Sequence, residues 1–471
     1  MNFSGLHVHL LGIGGAGVSA LVPLLQARGA RVSGCDAQES ATIQRLRSAG
    51  IAVAIGHDPA HGVDADVVVH TAAVGPEHPE LVAARAAGAV ILGRGACLVE
   101  LMRGTRTLAV SGSHGKTTTS WFAGHLLTQA GADPLVMVGG AIAALGGGGA
   151  RAGQGGIFVA EVDESDGSFA GVAPHVAIVT NLDREHLRHY GSFAGLESAF
   201  QGWLAGVPAD GLVVLPAAGI SPVLGAGIPA QVVTVGLEHG DCHAAELELA
   251  AEGSRCRVVL HGEELGELLV PIPGAHMVAN ALMAVAACRF LETRVRLSDL
   301  ATCERVGRRF RVHGSPADVR IVEDYGHHPA EVRATIAAAR LAGGRVQVLF
   351  QPHRYTRTQD CFADFVTAFD QAHRVALLPV YGAGETLIPG ADSASLAQAI
   401  AVRRGSDEAA TVLATADRTA AMAFVAGAAR AGDTVLVLGA GDVGACAQEL
   451  LDFFPPGRRE PALAVNDHVF A

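Results

Sequence analysis

Residues 105–131 read TRTLAVSGSHGKTTTSWFAGHLLTQAG. The run TLAV is short and apolar, as in a buried strand, and the stretch after Lys116 is apolar over a helical length. Between them lie Gly112, Ser113, His114, Gly115, Lys116, Thr117 and Thr118. A strand that breaks at glycine and resumes as a helix can hold phosphate. Glycine lets backbone N–H groups turn inward, and the helix N-terminus adds partial positive charge. Lysine reaches the outer phosphates and a threonine hydroxyl can bind Mg²⁺. The spacing departs from G-x-x-x-x-G-K-[ST], because Ala109 and Val110 stand in the place of the first glycine. An ordinary glycine-rich turn is the competing reading.

The composition bears on that choice. Of 34 Lys and Arg residues only Lys116 is lysine. Arginine carries a planar fork, whereas lysine is a compact ammonium on a flexible stem. A chain that uses arginine everywhere else and keeps lysine here points to a requirement for that ammonium.

The strand-then-helix rhythm extends both ways from this segment, which predicts an α/β protein with parallel sheets. At 471 residues the length suits about three domains. The expected boundaries are 1–104, 105–314 and 315–471: an N-terminal Rossmann-like domain, a central domain of the phosphate-loop ATPase type, and a C-terminal Rossmann-like domain. Within the second, 211–270 reads as a small, more antiparallel subsheet, and HMVANALMAVAACRFLE as an apolar helix. The glycine run near 145–148 reads as a flexible loop, RVHGSPADV (311–319) as a hinge, and the end of the chain, FFPPGRREPALAVNDHVFA, as a loose tail.

Gly12, Gly14, Gly15 and Gly17 follow the first strand, and Asp36 ends the next. That spacing fits a nucleotide-diphosphate loop, G-x-G-x-x-G with an acid about 20 residues on. The same spacing recurs at Gly439, Gly441 and Gly444, where a structural turn is the preferred reading. Glu161-Val-Asp163-Glu164-Ser-Asp166 ends a strand one crossover after the phosphate loop, where carboxylates can hold Mg²⁺. Asn181-Leu-Asp183-Arg-Glu185-His186 ends the following strand, and His186 there could be a metal ligand. The pair Arg308-Arg309 is either solvated or a clamp on phosphate charge. Tyr325, His327 and His328 follow one later strand, and Arg354 and Arg357 another. These suit a carboxylate substrate better than zinc, whose usual ligand spacings are not met.

The totals exclude several classes. The net charge is −12, which disfavours nucleic acid and anionic membrane as partners. No apolar run reaches the roughly 20 residues of a membrane span. The first residues read as the start of a strand rather than a signal peptide, and eight scattered cysteines without C-x-x-C fit a reduced, cytoplasmic setting. A nicotinamide-dependent oxidoreductase built on residues 12–17 would leave Lys116 and Glu161 without a role. A nucleotide-gated binding protein would need no turnover.

Taken in order, GIGGAGVSA, GSHGKTTT, EVDESDGSF, NLDREHL, PGAHMVAN, GRRF, EDYGHHPAE, FQPHRYTRT and VYGAGE resemble the Mur ligase family, from about residue 6 to 446. The resemblance is to the branch that attaches L-alanine to UDP-N-acetylmuramate. It implies ATP and Mg²⁺, an acyl phosphate, and attack by the alanine amine. It also implies roles: Gly12, Gly14, Gly15, Gly17, Asp36 and Thr71 at the UDP-sugar; Lys116 at the outer phosphates; Thr117 and Glu161 at one Mg²⁺ and His186 at a second. Asn280 would meet adenine, Asp324 the ribose and Arg309 the transferring phosphoryl group. Tyr325, His327, His328, Arg354 and Arg357 would lie by the alanine. A recycling ligase that joins a preformed stem peptide to the same sugar nucleotide is the alternative. The chain departs from the family pattern at Ser113, Met277 and Glu323. Having no other lysine, it also has none to carbamylate as a metal ligand.

Overall fold

The computed structural model describes residues 1–71, 73–165, 167–406 and 408–454. Asp166 and residues 455–471, which make up most of the expected tail, lie outside them. Three sheets follow one another along the chain. The first comprises β1 (His7–Leu11), β2 (Arg31–Asp36), β3 (Ala52–Ile55), β4 (Val67–His70) and β5 (Val90–Gly93), in the order β3-β2-β1-β4-β5. All its pairings are parallel. Its order reverses at β1, so the glycine loop after β1 opens into the crevice where such sheets bind ligands.

The second sheet starts with β6 (Arg106–Ser111), β7 (Leu135–Ile142), β8 (Gly148–Arg151), β9 (Ile157–Glu161) and β10 (Val176–Val179). It continues with β11 (Leu212–Pro216), β12 (Gln231–Gly236), β13 (Cys242–Ala250), β14 (Gly253–Leu260) and β15 (Glu263–Val270). The order is β15-β14-β13-β12-β11-β10-β6-β9-β7-β8. Strand β6 therefore lies between β10 and β9, both parallel to it, and three strand ends converge on one edge. Residues 211–270 prolong this same sheet. Strands β11, β12 and β13 add in parallel, and the two-residue links into β14 and β15 allow only antiparallel hairpins. The glycine run is not a free loop. Gly148 and Gly149 belong to β8, which is antiparallel to β7, and a Cβ at Gly149 would lie 2.6 Å from the Val138 carbonyl.

The third sheet comprises β16 (Arg311–Gly314), β17 (Arg320–Asp324), β18 (Val346–Phe350), β19 (Arg374–Leu377), β20 (Val412–Ala414) and β21 (Thr434–Leu438). Its order is β16-β17-β21-β18-β19-β20. The segment expected as a hinge supplies β16, paired antiparallel to β17 as the sheet's edge. The other pairings are parallel.

By internal contacts the chain forms two compact units. One is Met1–Leu247 with Cys256–Leu269 and Val278–Val306. The other is Glu248–Arg255 with Val270–Met277 and the described residues from Gly307 on. In the first unit one apolar cluster runs from Phe3 and Leu10 through Phe158, Phe169, Phe200 and Trp203 to Leu224. In the second, Ile321, Leu349, Val435, Val437 and Leu450 anchor the core. All eight cysteines are buried and unbridged. Among the described residues no helix is long and apolar enough to cross a membrane.

Candidate active site

Strand β6 ends at Ser111 and the helix Lys116–Gln129 begins five residues later. Gly112 has φ +125° and Gly115, the residue capping the helix, φ +81°. Both values lie in the region open to glycine and strained for other residues. Space is tight as well. A Cβ on Gly112 would run into the Thr180 hydroxyl and lie 2.7 Å from the Asn181 carbonyl, and one on Gly115 would lie 2.7 Å from Asn280 Oδ1. Asn280, expected at the adenine, is thus brought against the loop.

The end of β10 clamps the loop from the side. The Ser113 amide donates to the Asn181 carbonyl at 3.0 Å, and the His114 amide to Asn181 Oδ1 at 3.0 Å. Asn181 Nδ2 and the Thr180 hydroxyl both donate to the His114 carbonyl, at 3.0 and 2.6 Å. The Asp183 amide donates to the Ser113 hydroxyl at 2.8 Å. The local motif does not reveal Asn181 as a clamp, since its partners lie 67 and 68 positions away. Its place at the end of a strand neighbouring β6 was the available signal.

Lys116 folds back over its own loop. Its ammonium donates to the Gly112 carbonyl at 2.6 Å and the Ser113 carbonyl at 3.3 Å, and lies 3.0 and 2.9 Å from the two oxygens of Glu164. Burial pulls the lysine pKa down, but Glu164, Asp163 and Glu161 outweigh this and hold it above its ordinary value. Burial pushes the Glu164 carboxyl up to about 7, against the pull of Lys116. Burial also raises Asp163, but Lys116, Ser165 and Arg94 together keep it below the usual carboxylate range. Of the acids after β9, it is Glu164 that pairs with the lysine, which spacing alone did not single out.

Glu161, at the end of β9, accepts the Gly139 amide at 2.6 Å. A Cβ on Gly139 would lie 2.7 and 2.8 Å from the two carboxylate oxygens, so glycine there lets Glu161 stand against β7. Thr117 is buried in the first helical turn. His186, at φ +58°, places Nε2 3.9 Å from Glu164 and 4.0 Å from Glu185. A hydroxyl and carboxylates around a phosphate loop are the hard oxygen donors that Mg²⁺ takes, so Thr117 and Glu161 fit that ion, whereas the imidazole of His186 is a softer donor beside them.

In the first sheet, Gly12 (φ +81°) meets Thr71, whose Cγ2 would lie 2.8 Å from a Cβ there. The Gly14 amide donates to Asp36 Oδ2 at 2.8 Å, and the Gly15 amide to the Gly12 carbonyl at 3.1 Å. Gly17 faces the Arg94 side chain, with 3.0 Å to Cδ from a Cβ position. The structure brings these expected residues together and adds Arg94. Asp36 braces the loop through an amide.

The second unit holds the remaining candidates. Asp324 is buried; Oδ2 accepts the Phe310 amide at 2.8 Å and Oδ1 the Gly326 amide at 2.7 Å. Burial raises its pKa, with Arg309 opposing. The two adjacent arginines differ. Arg308 bonds Glu323 at 2.8 Å and donates to the Gly439 and Gly441 carbonyls at 2.7 and 3.1 Å. It thus gives the 439–444 turn a structural tie. Arg309 lies over the Tyr325 ring, 5.2 Å from its centroid, and 3.8 Å from Glu331. His328 is buried and caps the helix Pro329–Arg340. Its Nε2 is 3.5 Å from the Cys361 thiol. His327 instead joins Tyr325 (ring centroids 5.3 Å apart) and His353 (5.7 Å), and His353 stacks on Tyr381. Arg357 donates to the His353 carbonyl at 3.2 Å, and Arg354 starts the helix Tyr355–Asp360 at φ +70°. His353 and Tyr381 are additions to the expected set.

The Mur ligase family, catalytic domain, matches residues 7–106; the Mur ligase middle domain matches 110–288; the Mur ligase, glutamate ligase domain, matches 308–441. The chain belongs to the Mur ligase family. It is 44% identical over 453 residues to a UDP-N-acetylmuramate–L-alanine ligase of Sorangium cellulosum, covering 94% of this chain and 95% of that one. The structure of UDP-N-acetylmuramate-alanine ligase from Thermotoga maritima superposes with a TM-score of 0.77 at 26% identity, covering 95% and 98% of the two chains. That of a UDP-N-acetylmuramate:L-alanyl-gamma-D-glutamyl-meso-diaminopimelate ligase from Neisseria meningitides gives 0.57 at 28% identity. It covers 64% of this chain and 99% of that one.

Proposed function

We propose that this enzyme joins L-alanine to the lactyl carboxylate of UDP-N-acetylmuramate at the expense of ATP, in the cytoplasm, as a step of peptidoglycan precursor synthesis. One observation carries the nucleotide half: the chain's single lysine sits at the head of a helix, behind two positive-φ glycines and beside a carboxylate cluster. The alanine half is supported by full-length likeness to alanine ligases, at 44% identity in sequence and a TM-score of 0.77 in structure, against the lower TM-scores of 0.65 and 0.57 for two murein peptide ligase structures.

In this reading segments 1–104, 105–314 and 315–471 serve the sugar nucleotide, ATP and the amino acid respectively. Gly12, Gly14, Gly15, Gly17, Asp36 and Thr71 hold the UDP moiety. Gly112 to Thr118 cradle the ATP phosphates, with Lys116 turned outward from Glu164 onto the outer ones. Asn280 meets the adenine, and the remaining lone pairs of Asp324 meet the ribose. Thr117, Glu161 and His186 would hold Mg²⁺, which spreads the phosphate charge. The lactyl carboxylate attacks the γ-phosphorus, ADP leaves, and Arg309 stabilises the transferring group. The alanine amine, positioned by Tyr325, His327, Arg354 and Arg357, then attacks the acyl carbon and phosphate departs. His328 supports this group from the helix cap.

The test is release of ADP and phosphate under omission of each substrate. Turnover that needs both UDP-N-acetylmuramate and L-alanine supports the reading. Equal turnover without the sugar nucleotide, or a preference for tripeptide over alanine, would overturn it.

A further inference from the structure

One face of the first sheet carries chemistry that sugar-nucleotide binding does not use. In the β1–β2 pair His9 is opposite Ser33 and Leu11 opposite Cys35, so all four side chains share a face. The helix Pro79–Ala86 covers that face and brings Glu80, and the loop after β3 brings His57 and His61. His9, Cys35 and Glu80 are each at least nine-tenths buried, and each offers a ligand atom within 4.8 Å of the others. The Cys35 thiol donates to Glu80 Oε2 at 3.0 Å. His61 Nδ1 is 3.5 Å from Glu80 Oε1, buried, and makes no hydrogen bond among the described residues.

The proton positions can be followed from the edge inward. His7 Nδ1 faces the Asp64 carbonyl at 3.2 Å, which can only accept, so the proton is on Nδ1. In neutral His7, Nε2 is then an acceptor, and the Ser33 hydroxyl, 2.7 Å away, donates to it. That hydroxyl, having spent its proton, accepts from His9 Nδ1 at 2.8 Å. His9 Nε2 is left with a bare lone pair, buried, with no donor among the described residues. A buried acceptor without a donor has given up its water and gained nothing in return.

We propose that His9 Nε2, the Cys35 thiolate and the Glu80 carboxylate form a tetrahedral zinc site, completed by His61 Nδ1, which lies 3.5 Å from Glu80 but outside the 4.8 Å trio and would swing in as the fourth ligand. Zinc bonds of 2.0–2.3 Å put neighbouring ligand atoms about 3.3–3.8 Å apart, so Cys35 Sγ and Glu80 Oε2, now 3.0 Å apart, would open slightly, while ligand atoms of the trio lying up to 4.8 Å apart would draw in. Ser33 fixes the His9 tautomer, and His57, 3.0 Å from Glu80 Oε1, orients the carboxylate, as outer partners of metal ligands do. Gly62 (φ +73°) lets the loop reach the imidazole: a Cβ there would be 3.0 Å from His9 Cδ2. Burial and the bond to Glu80 push the thiol pKa up, so without a cation Cys35 keeps its proton. On binding, the S–H bond gives way to a Zn–S bond and one proton passes to solvent. The Cys35 carbonyl accepts the Gly12 and Ile13 amides, so the ion stands directly behind the glycine loop.

The test is titration of the full-length, chelator-stripped enzyme with Co²⁺, followed by displacement with Zn²⁺. The expected result is one equivalent with a thiolate-to-cobalt charge-transfer band that zinc bleaches. The band should be lost in Cys35→Ser and His9→Gln. Should those variants fail to fold, His61→Ala, whose side chain is a quarter exposed, is expected to weaken cobalt binding about tenfold or more. Cobalt at a magnesium site gives no thiolate band. No band at saturating Co²⁺, a band that persists in Cys35→Ser, or unchanged affinity in His61→Ala would overturn the proposal.

Discussion

The ammonium of Lys116 lies 3.0 and 2.9 Å from the two carboxylate oxygens of Glu164, one group at the head of a helix and the other three residues beyond a strand end. Both side chains are largely buried. Each is the other's main compensation for leaving water, and phosphate would compete with Glu164 for the same ammonium.

Lys116→Ala and Lys116→Arg are both expected to cut turnover about 100-fold or more, since one preorganised charge at a transferring phosphoryl group is removed or misshapen. The fold should survive in Lys116→Ala. Glu164, already raised to about 7, takes a proton rather than standing charged and alone. Phosphate-release kinetics with circular dichroism melting checks both halves; wild-type turnover in either variant removes the assigned role.

Gly139→Ala should act on metal demand. The new methyl would collide with both oxygens of Glu161 and push the carboxylate off its Gly139 amide. We expect activity to need about tenfold more Mg²⁺ or to fall by at least that factor, with the melting temperature little changed. A magnesium titration that superposes on wild type would show that Glu161 does not serve the ion.

Two glycines of the phosphate loop should separate fold from function. Gly112→Ala sets a Cβ against backbone atoms of Thr180 and Asn181, which cannot yield, and we expect about 2–4 kcal/mol loss of stability. Gly115→Ala meets only the Asn280 side chain, so it should unfold less readily than Gly112→Ala while still weakening ATP binding. Urea unfolding and nucleotide titration decide; equal destabilisation would contradict the contact argument.

Buried histidines set an acid limit. His125 is held below its ordinary value by burial, although its Nε2 is 2.9 Å from the Asp299 carbonyl. His353 is lowered to about 4 by burial and by the neighbouring His327, Arg357 and Arg354. In the unfolded chain each takes a proton near pH 6.5. Their contribution is therefore whole above about 6.5 and declines as pH falls, for His353 until about 4. Glu164 works in the opposite sense, but it is common to both proteins in a variant comparison. The stability gap between wild type and His125→Gln should be widest above pH 7 and narrow toward pH 5. A gap independent of pH in urea melts would refute this.

What sequence made legible was whatever is local. The phosphate loop declares itself because strand, glycines, lysine and helix are contiguous, and the acids after β9 because they end the next strand over. Pairings across turns were hidden. Nothing in the spacing says that Glu164, rather than Asp163 or Glu161, takes Lys116, because the turn after β9 decides it. Asn181 grips Ser113 and His114 only once β10 is laid beside β6. His327 and His328 are equivalent as letters; the helix cap buries one and leaves the other among Tyr325 and His353. The 311–319 segment looked like a connector because four strand-like residues with a glycine carry no strong pattern. Pairing with β17 makes them an edge.

The side chain folded across the phosphate loop has a practical corollary. To an acylating reagent this protein offers one ε-amine, and its side chain is only 14% exposed. A mass shift at that position reports on a single chemical address without the background of surface amines that blurs such mapping in most enzymes. The rate of acylation then measures how often the ammonium leaves its carboxylate, and protection by a ligand gives occupancy directly.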